Sequence, residues 1–132
     1  MQRKVSYQQE APMWNKEDLK KIIVDGDVKK LNEFCSKLGE YYANQRLSTS
    51  QIRHIFNEIS TMGSYDEVKL QLLRPKLAYI AGRHIKTTPV IKNHFQPLME
   101  EAIQLVKEDN FSNFKNFVEA IVAYHKYFGG KE

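Results

Sequence analysis

LSTSQIRHIFNEIS, residues 47–60, is the stretch that decides the fold class. Ser48 followed by Gln51 forms a capping box, in which each side chain satisfies a backbone N–H at the start of a helix. Behind it, Ile52, Ile55, Phe56 and Ile59 fall at i, i+3, i+4 and i+7, the spacing that lines one face of an α-helix.

The helical period extends outward from this segment in both directions. Upstream, Asn15 with Asp18 opens a short helix carrying Leu19, Ile22 and Ile23, and Gly26 ends it. Asp27 then caps a helix to about Ala43, with Val28, Leu31, Phe34, Cys35, Leu38, Tyr41 and Tyr42 at spacings of three and four. Downstream, Ser64 with Glu67 reads as a second capping box, followed by Leu70, Leu73, Leu77, Ile80 and Ala81. Pro75 sits inside this set, so the segment is one kinked helix or two; the unbroken apolar period favours the kink. Thr88 and Pro89 read as cap and first residue of a helix to about Glu108, with a second possible kink at Pro97. Asn110 or Ser112 opens the last helix, which stops at Gly129-Gly130. No stretch alternates cleanly enough for a strand. The expected fold is all-α, a compact bundle of about five to six helices. Residues 14–132 are expected to form its single domain, and residues 1–13 a flexible arm that Trp14 is placed to tie down.

Charge is distributed unevenly. Between Val68 and Met99 the chain has Lys69, Arg74, Lys76, Arg83, Lys86 and Lys92 and not one Asp or Glu. The window holds six of the 20 Lys and Arg, leaving 14 against 16 acidic residues elsewhere. Charge concentrated in this way suits a surface that meets a polyanion. With residues 68–86 helical, Lys69, Lys76 and Arg83 recur every seven residues on one stripe, and Lys86 extends it. Such a row follows a phosphate backbone, with affinity that depends on salt and hardly on base sequence. A solvated face is the plainer reading of any one of these residues, but a face that serves only solubility usually mixes signs and gains i, i+4 pairs. Arg74 and Lys92 fall off the stripe. Gly82, beside Arg83, marks either a close approach of backbone or a helix end. Arg53, near Arg46, lies on the exposed side of its helix.

Catalytic and metal chemistry find no constellation. His54, His84, His94 and His125 never fall at i, i+4, which removes metalloprotease and zinc-finger spacings, and no metal or cofactor is expected. The acidic pairs Glu100-Glu101 and Glu108-Asp109 are adjacent and diverge on a helix. Cys35, the single cysteine, reads as core. No apolar stretch approaches the roughly 20 residues of a membrane span, and the expected compartment is the cytoplasm. The last helix carries six aromatic residues from Phe111 to Phe128, more than one narrow stripe needs, which leaves Tyr124 and Tyr127 for a partner or a base.

Three blocks, LSTSQIRHIFNEI at 47–59, LRPKLAYIAGRH at 73–84 and FKNFVEAIVAYHKYFGG at 114–130, resemble in content and order the small subunit of type III-A CRISPR effector complexes, the Csm family. The segment before Leu47 carries no matching motif. The resemblance implies a non-catalytic helical subunit that assembles in several copies along CRISPR RNA and target RNA beside other Csm subunits. Self-association follows from it, with a homodimer among the states open to the isolated chain. It carries over Arg53, Lys76, Arg83 and His84 as RNA-facing, and the charge stripe adds Lys69 and Lys86. The competing reading is a protein–protein adaptor that docks an acidic partner through the same face.

Overall fold

An Asn, Asp or Ser side chain caps each of the first four helices. In the computed structural model, which describes residues 10–132, Asn15 Oδ1 accepts from Asp18 N at 2.8 Å and starts α1 (Lys16–Ile23). Asp27 Oδ1 accepts from Lys30 N at 3.0 Å and starts α2 (Val28–Asn44). Both halves of the Ser48/Gln51 capping box form at the start of α3 (Thr49–Ser60). Before α4 (Glu67–Arg83) the outcome differs: Asp66, not Ser64, is the cap, its carboxylate accepting from Lys69 N at 3.1 Å. The expected arm falls largely on residues 1–9, outside the described residues.

The α4 helix runs unbroken through Pro75, whose exposed ring lies on the outer side while Leu70, Leu73, Leu77, Ile80 and Ala81 enter the core. It stops at Arg83, however, so Lys86 leaves the helical stripe. The N–H groups of Thr87 and Thr88 fold back onto the His84 carbonyl at 3.2 and 2.8 Å, forming a turn that Pro89 cannot continue as helix. The Thr88 hydroxyl is buried against Gln51 rather than capping.

The expected helix from Pro89 to Glu108 runs without a break over residues 90–105, ending at Leu105, but its start is not regular α-helix. A π-turn at Ile91–Phe95 leads into α5 (Gln96–Leu105). The cause is Pro97, which has no N–H and whose ring crowds the carbonyl four residues back, at Asn93; widening that turn relieves the crowding. Asn110 then closes the corner, accepting from Lys107 N at 2.7 Å and donating to the Leu105 carbonyl at 3.0 Å, before α6 (Phe111–Tyr127).

The α2–α6 pair forms the centre of the bundle. Leu31, Cys35, Leu38 and Tyr42 of α2 and Phe114, Phe117 and Ile121 of α6 belong to one continuous core. The helices meet so closely at Gly39 that a Cβ there would lie 2.5 Å from His125 N. The α1 helix packs on α5 and α6, α3 on α4 and α6, and α4 on α5. Among the described residues there are six α-helices and no strand. None of those helices is long and apolar enough to cross a membrane.

Candidate nucleic-acid interface

A groove of about 630 Å³ runs between the first half of α3 and the second half of α4. Ser50, Gln51 and His54 form one wall; Pro75, Lys76, Tyr79, Ile80, Arg83 and His84 form the other. Gln51 sets the distance between the walls. Its Oε1 accepts from Ser48 N at 3.0 Å, and its Nε2 donates to Thr88 Oγ1 at 2.7 Å and lies 3.5 Å from His84 Nδ1. A residue legible as a helix cap thus also ties α3 to the turn after α4.

The α3 wall is held from behind. At the end of α6, Gly130 N bonds to the His125 carbonyl and Gly129 N to the Lys126 carbonyl, a Schellman motif made possible by φ +84° at Gly129. The chain then turns back, and Thr49 N and Ser50 N donate to the carbonyls of Lys131 and Glu132. Buried His125 is hydrogen-bonded through Nε2 to the Leu47 carbonyl at 2.6 Å, fixing the loop before α3.

Of the residues expected to face RNA, the structure brings Lys76, Arg83 and His84 into this groove. Lys69 lies in the adjoining depression, which Glu58, Leu72 and Lys76 also line. Lys86 is exposed in the turn past α4, and Arg53 is exposed on α3; neither lines the groove. Arg53 lies close enough to help hold the Glu132 carboxyl below its usual range, an effect led by the hydrogen bond and charge of Lys126.

The cations differ in their engagement. Lys76 Nζ is held by both oxygens of Glu58 at 2.7 and 2.6 Å, and His54 Nε2 meets the same carboxylate at 2.9 Å. Arg74 is tied to Glu100 at 2.9 Å. These carboxylates come from outside the acid-free window, so two of its six cations, which have no acidic i, i+4 partner within it, are paired by the fold. Arg83 makes no ion pair or side-chain hydrogen bond among the described residues, and neither does Lys69.

Sequence reasoning missed Glu58 and Tyr79. Glu58 was visible as the i+4 partner of His54; Tyr79 lies three residues past Lys76 and four before Arg83, outside the buried period. Cys35 is buried, its Sγ donating to the Phe117 carbonyl at 3.6 Å, and burial pushes its thiol far above the usual range, which suits core and not a nucleophile. No group of three or more metal-ligating side chains occurs among the described residues.

The family model described as Csm2 Type III-A matches residues 25–131, which takes in α2 through α6 and the whole groove. The chain belongs to the Csm2 type III-A family. A curated relative, "CRISPR system Cms protein Csm2" of Streptococcus thermophilus, is 30% identical over 99 residues, covering 67% of this chain and 78% of the relative. No solved structure matches. As a Csm2-family chain it is a small subunit of a type III-A CRISPR complex. The family match also reaches α2, where no motif was recognisable.

Proposed function

We propose that this Csm2-family chain is a non-catalytic subunit that holds the backbone of CRISPR RNA and target RNA in the α3–α4 groove while packing against neighbouring Csm subunits and copies of itself. The supporting observation is Arg83, an exposed guanidinium with no ionic partner among the described residues, at a groove that also holds Lys76, His54 and His84. Guanidinium geometry suits bidentate contact with phosphate oxygens. Lys69 extends the surface along α4, and Lys86 and Arg53 contribute to the field around it. Contacts of this kind carry no base information, which in guided complexes comes from pairing.

The test is Arg83→Glu combined with Lys76→Glu in the assembled complex. Each phosphate contact to a single strand contributes about 0.7 to the slope of log affinity against log salt, or roughly fivefold at 0.1 M salt. Loss of the open Arg83 contact therefore weakens RNA binding by roughly fivefold and flattens the slope by about 0.7, and reversal of Lys76, which reaches phosphate only by leaving Glu58, adds a smaller loss. Unchanged affinity and slope would rule the proposal out. Loss of a protein partner that survives nuclease treatment, with RNA binding intact, would favour the acidic-partner adaptor instead.

A further inference from the structure

Tyr79 is the unexplained residue of the groove. Its neighbours along α4 at the core positions, Leu77 and Ile80, are buried, yet Tyr79 leaves 66% of its surface open to solvent. It makes no ring contact or hydrogen bond among the described residues. Lys76 and Arg83 stand three residues before and four after it on the same face of α4, and the imidazoles of His54 and His84 line the same groove.

We infer that Tyr79 is a stacking platform for one unpaired RNA base, with Lys76 and Arg83 taking the phosphates on either side of it. The inference rests on the backbone-binding reading above and adds a base-contacting residue to it. At 1.5 Å rise per residue, the Lys76 and Arg83 backbones lie about 10 Å apart along the helix, with Tyr79 between them. An RNA strand whose phosphates meet both cations carries the intervening base past the phenol ring. Aromatic rings exposed among cations are how single-strand-binding surfaces hold bases without reading them, because every base has a π-face. The groove's volume lies within the roughly 300–1,000 Å³ of small-ligand sites, and Pro75 and Ile80 give it apolar lining beside the ring. A base in a continuous duplex has both faces covered by its neighbours, so the site selects an unstacked nucleotide.

The experiment uses the full chain and an oligoribonucleotide carrying 2-aminopurine, alone or annealed to its complement, with Tyr79→Phe, Tyr79→Ala and Arg83→Glu/Lys76→Glu variants. The wild type and Tyr79→Phe are expected to bind the single strand alike and to quench the fluorophore. Tyr79→Ala is expected to lose the quench and roughly tenfold in single-strand affinity, with the salt slope and the duplex affinity unchanged. Because Tyr79 is mostly exposed, this variant keeps the fold. If Tyr79→Ala binds the single strand as the wild type does while the double charge reversal does not, stacking is overturned and backbone binding stands. If Tyr79→Ala weakens duplex and single strand equally, or changes only self-association, Tyr79 is not a base platform. If none of the variants alters binding, or the wild type binds no RNA, both readings fall.

Discussion

Two glycines on helices respond to alanine in opposite ways, and together they test the bundle's geometry. At Gly39 an added Cβ would sit 2.5 Å from His125 N and Tyr124 Cβ and 2.6 Å from the Tyr124 carbonyl carbon. Ordinary contact needs roughly 1 Å more, and the obstructing atoms include α6 backbone, which no rotamer change can move aside. The α2–α6 pair must separate at the centre of the core, placing the cost near the upper end of the usual 1–3 kcal/mol for overpacking. Alanine's better helix propensity returns up to about 1 kcal/mol, leaving a net loss of about 2 kcal/mol. At Gly82, the next-to-last residue of α4, an added Cβ meets nothing within 4 Å. There only the propensity gain applies, about 0.5 kcal/mol so near the helix end. Urea denaturation of the two variants beside the wild type, at equal m-values, should therefore separate Gly39→Ala from Gly82→Ala by about 2.5 kcal/mol, with the wild type between them. A Gly39→Ala variant as stable as the wild type would show that α2 and α6 do not cross at this distance. A destabilised Gly82→Ala would show that α4 does not run as regular, open helix through that residue.

Two further outcomes are expected. Glu58→Gln releases Lys76 and His54 from the carboxylate they share, so under the proposed reading RNA affinity rises roughly fivefold at 0.1 M salt and the salt slope steepens by about 0.7, while stability changes by less than about 1 kcal/mol because the pair is partly exposed; anisotropy titrations across a salt series measure both, and an unchanged slope would count against Lys76 as a phosphate contact. Stability should fall as pH drops below about 6.5, because burial depresses the His94 imidazole from its ordinary value, only partly offset by its hydrogen bond to the Pro12 carbonyl, so the unfolded chain takes up the proton more readily than the folded one. Urea midpoints from pH 8 to 5 for the wild type and His94→Gln read this directly, and equal slopes in the two would assign the pH dependence elsewhere.

How much was legible in the sequence follows from the range of the interactions involved. The caps at Asn15, Asp27 and Ser48 bond to backbone three residues away, so their type and spacing announce them. The apolar period placed Leu70, Leu73, Leu77, Ile80 and Ala81 inside, because burial of one helix face is also written locally. Thr88 misled because its hydroxyl bonds to Gln51, 37 residues earlier in the chain, instead of capping its own helix. Ser64 misled because Asp66 offers a competing cap two residues on. The π-turn before Pro97 was half visible: the proline announced a disturbance, but whether a helix kinks, breaks or widens into a π-turn depends on what packs around it, and Ile91, His94 and Phe95 are all buried here. The groove itself could not be read, because its walls come from two helices whose separation is set by Gln51, Thr88 and the returning chain end.

The acid-free window illustrates the same limit for charge. Along the chain it holds six cations and no acid, but folding brings Glu58 to Lys76 and Glu100 to Arg74, leaving Lys69, Arg83, Lys86 and Lys92 without ion pairs among the described residues. Charge that is unmixed along the chain is thus partly paired in space, and the stripe along α4 becomes an alternation: Lys69 open, Lys76 occupied, Arg83 open. A polyanion meeting this surface engages Arg83 at no cost in existing contacts, whereas it reaches Lys76 only by displacing Glu58, whose carboxylate then faces the incoming phosphate. Arg83 and Lys76 therefore contribute unequally under the proposed reading. Reversal of Arg83 removes an unopposed phosphate contact, whereas neutralisation of Glu58 strengthens the one at Lys76 by removing its competing carboxylate, so the two substitutions should shift the salt slope in opposite directions. Two equivalent solvated lysine-type charges on a featureless helix face would not produce that asymmetry.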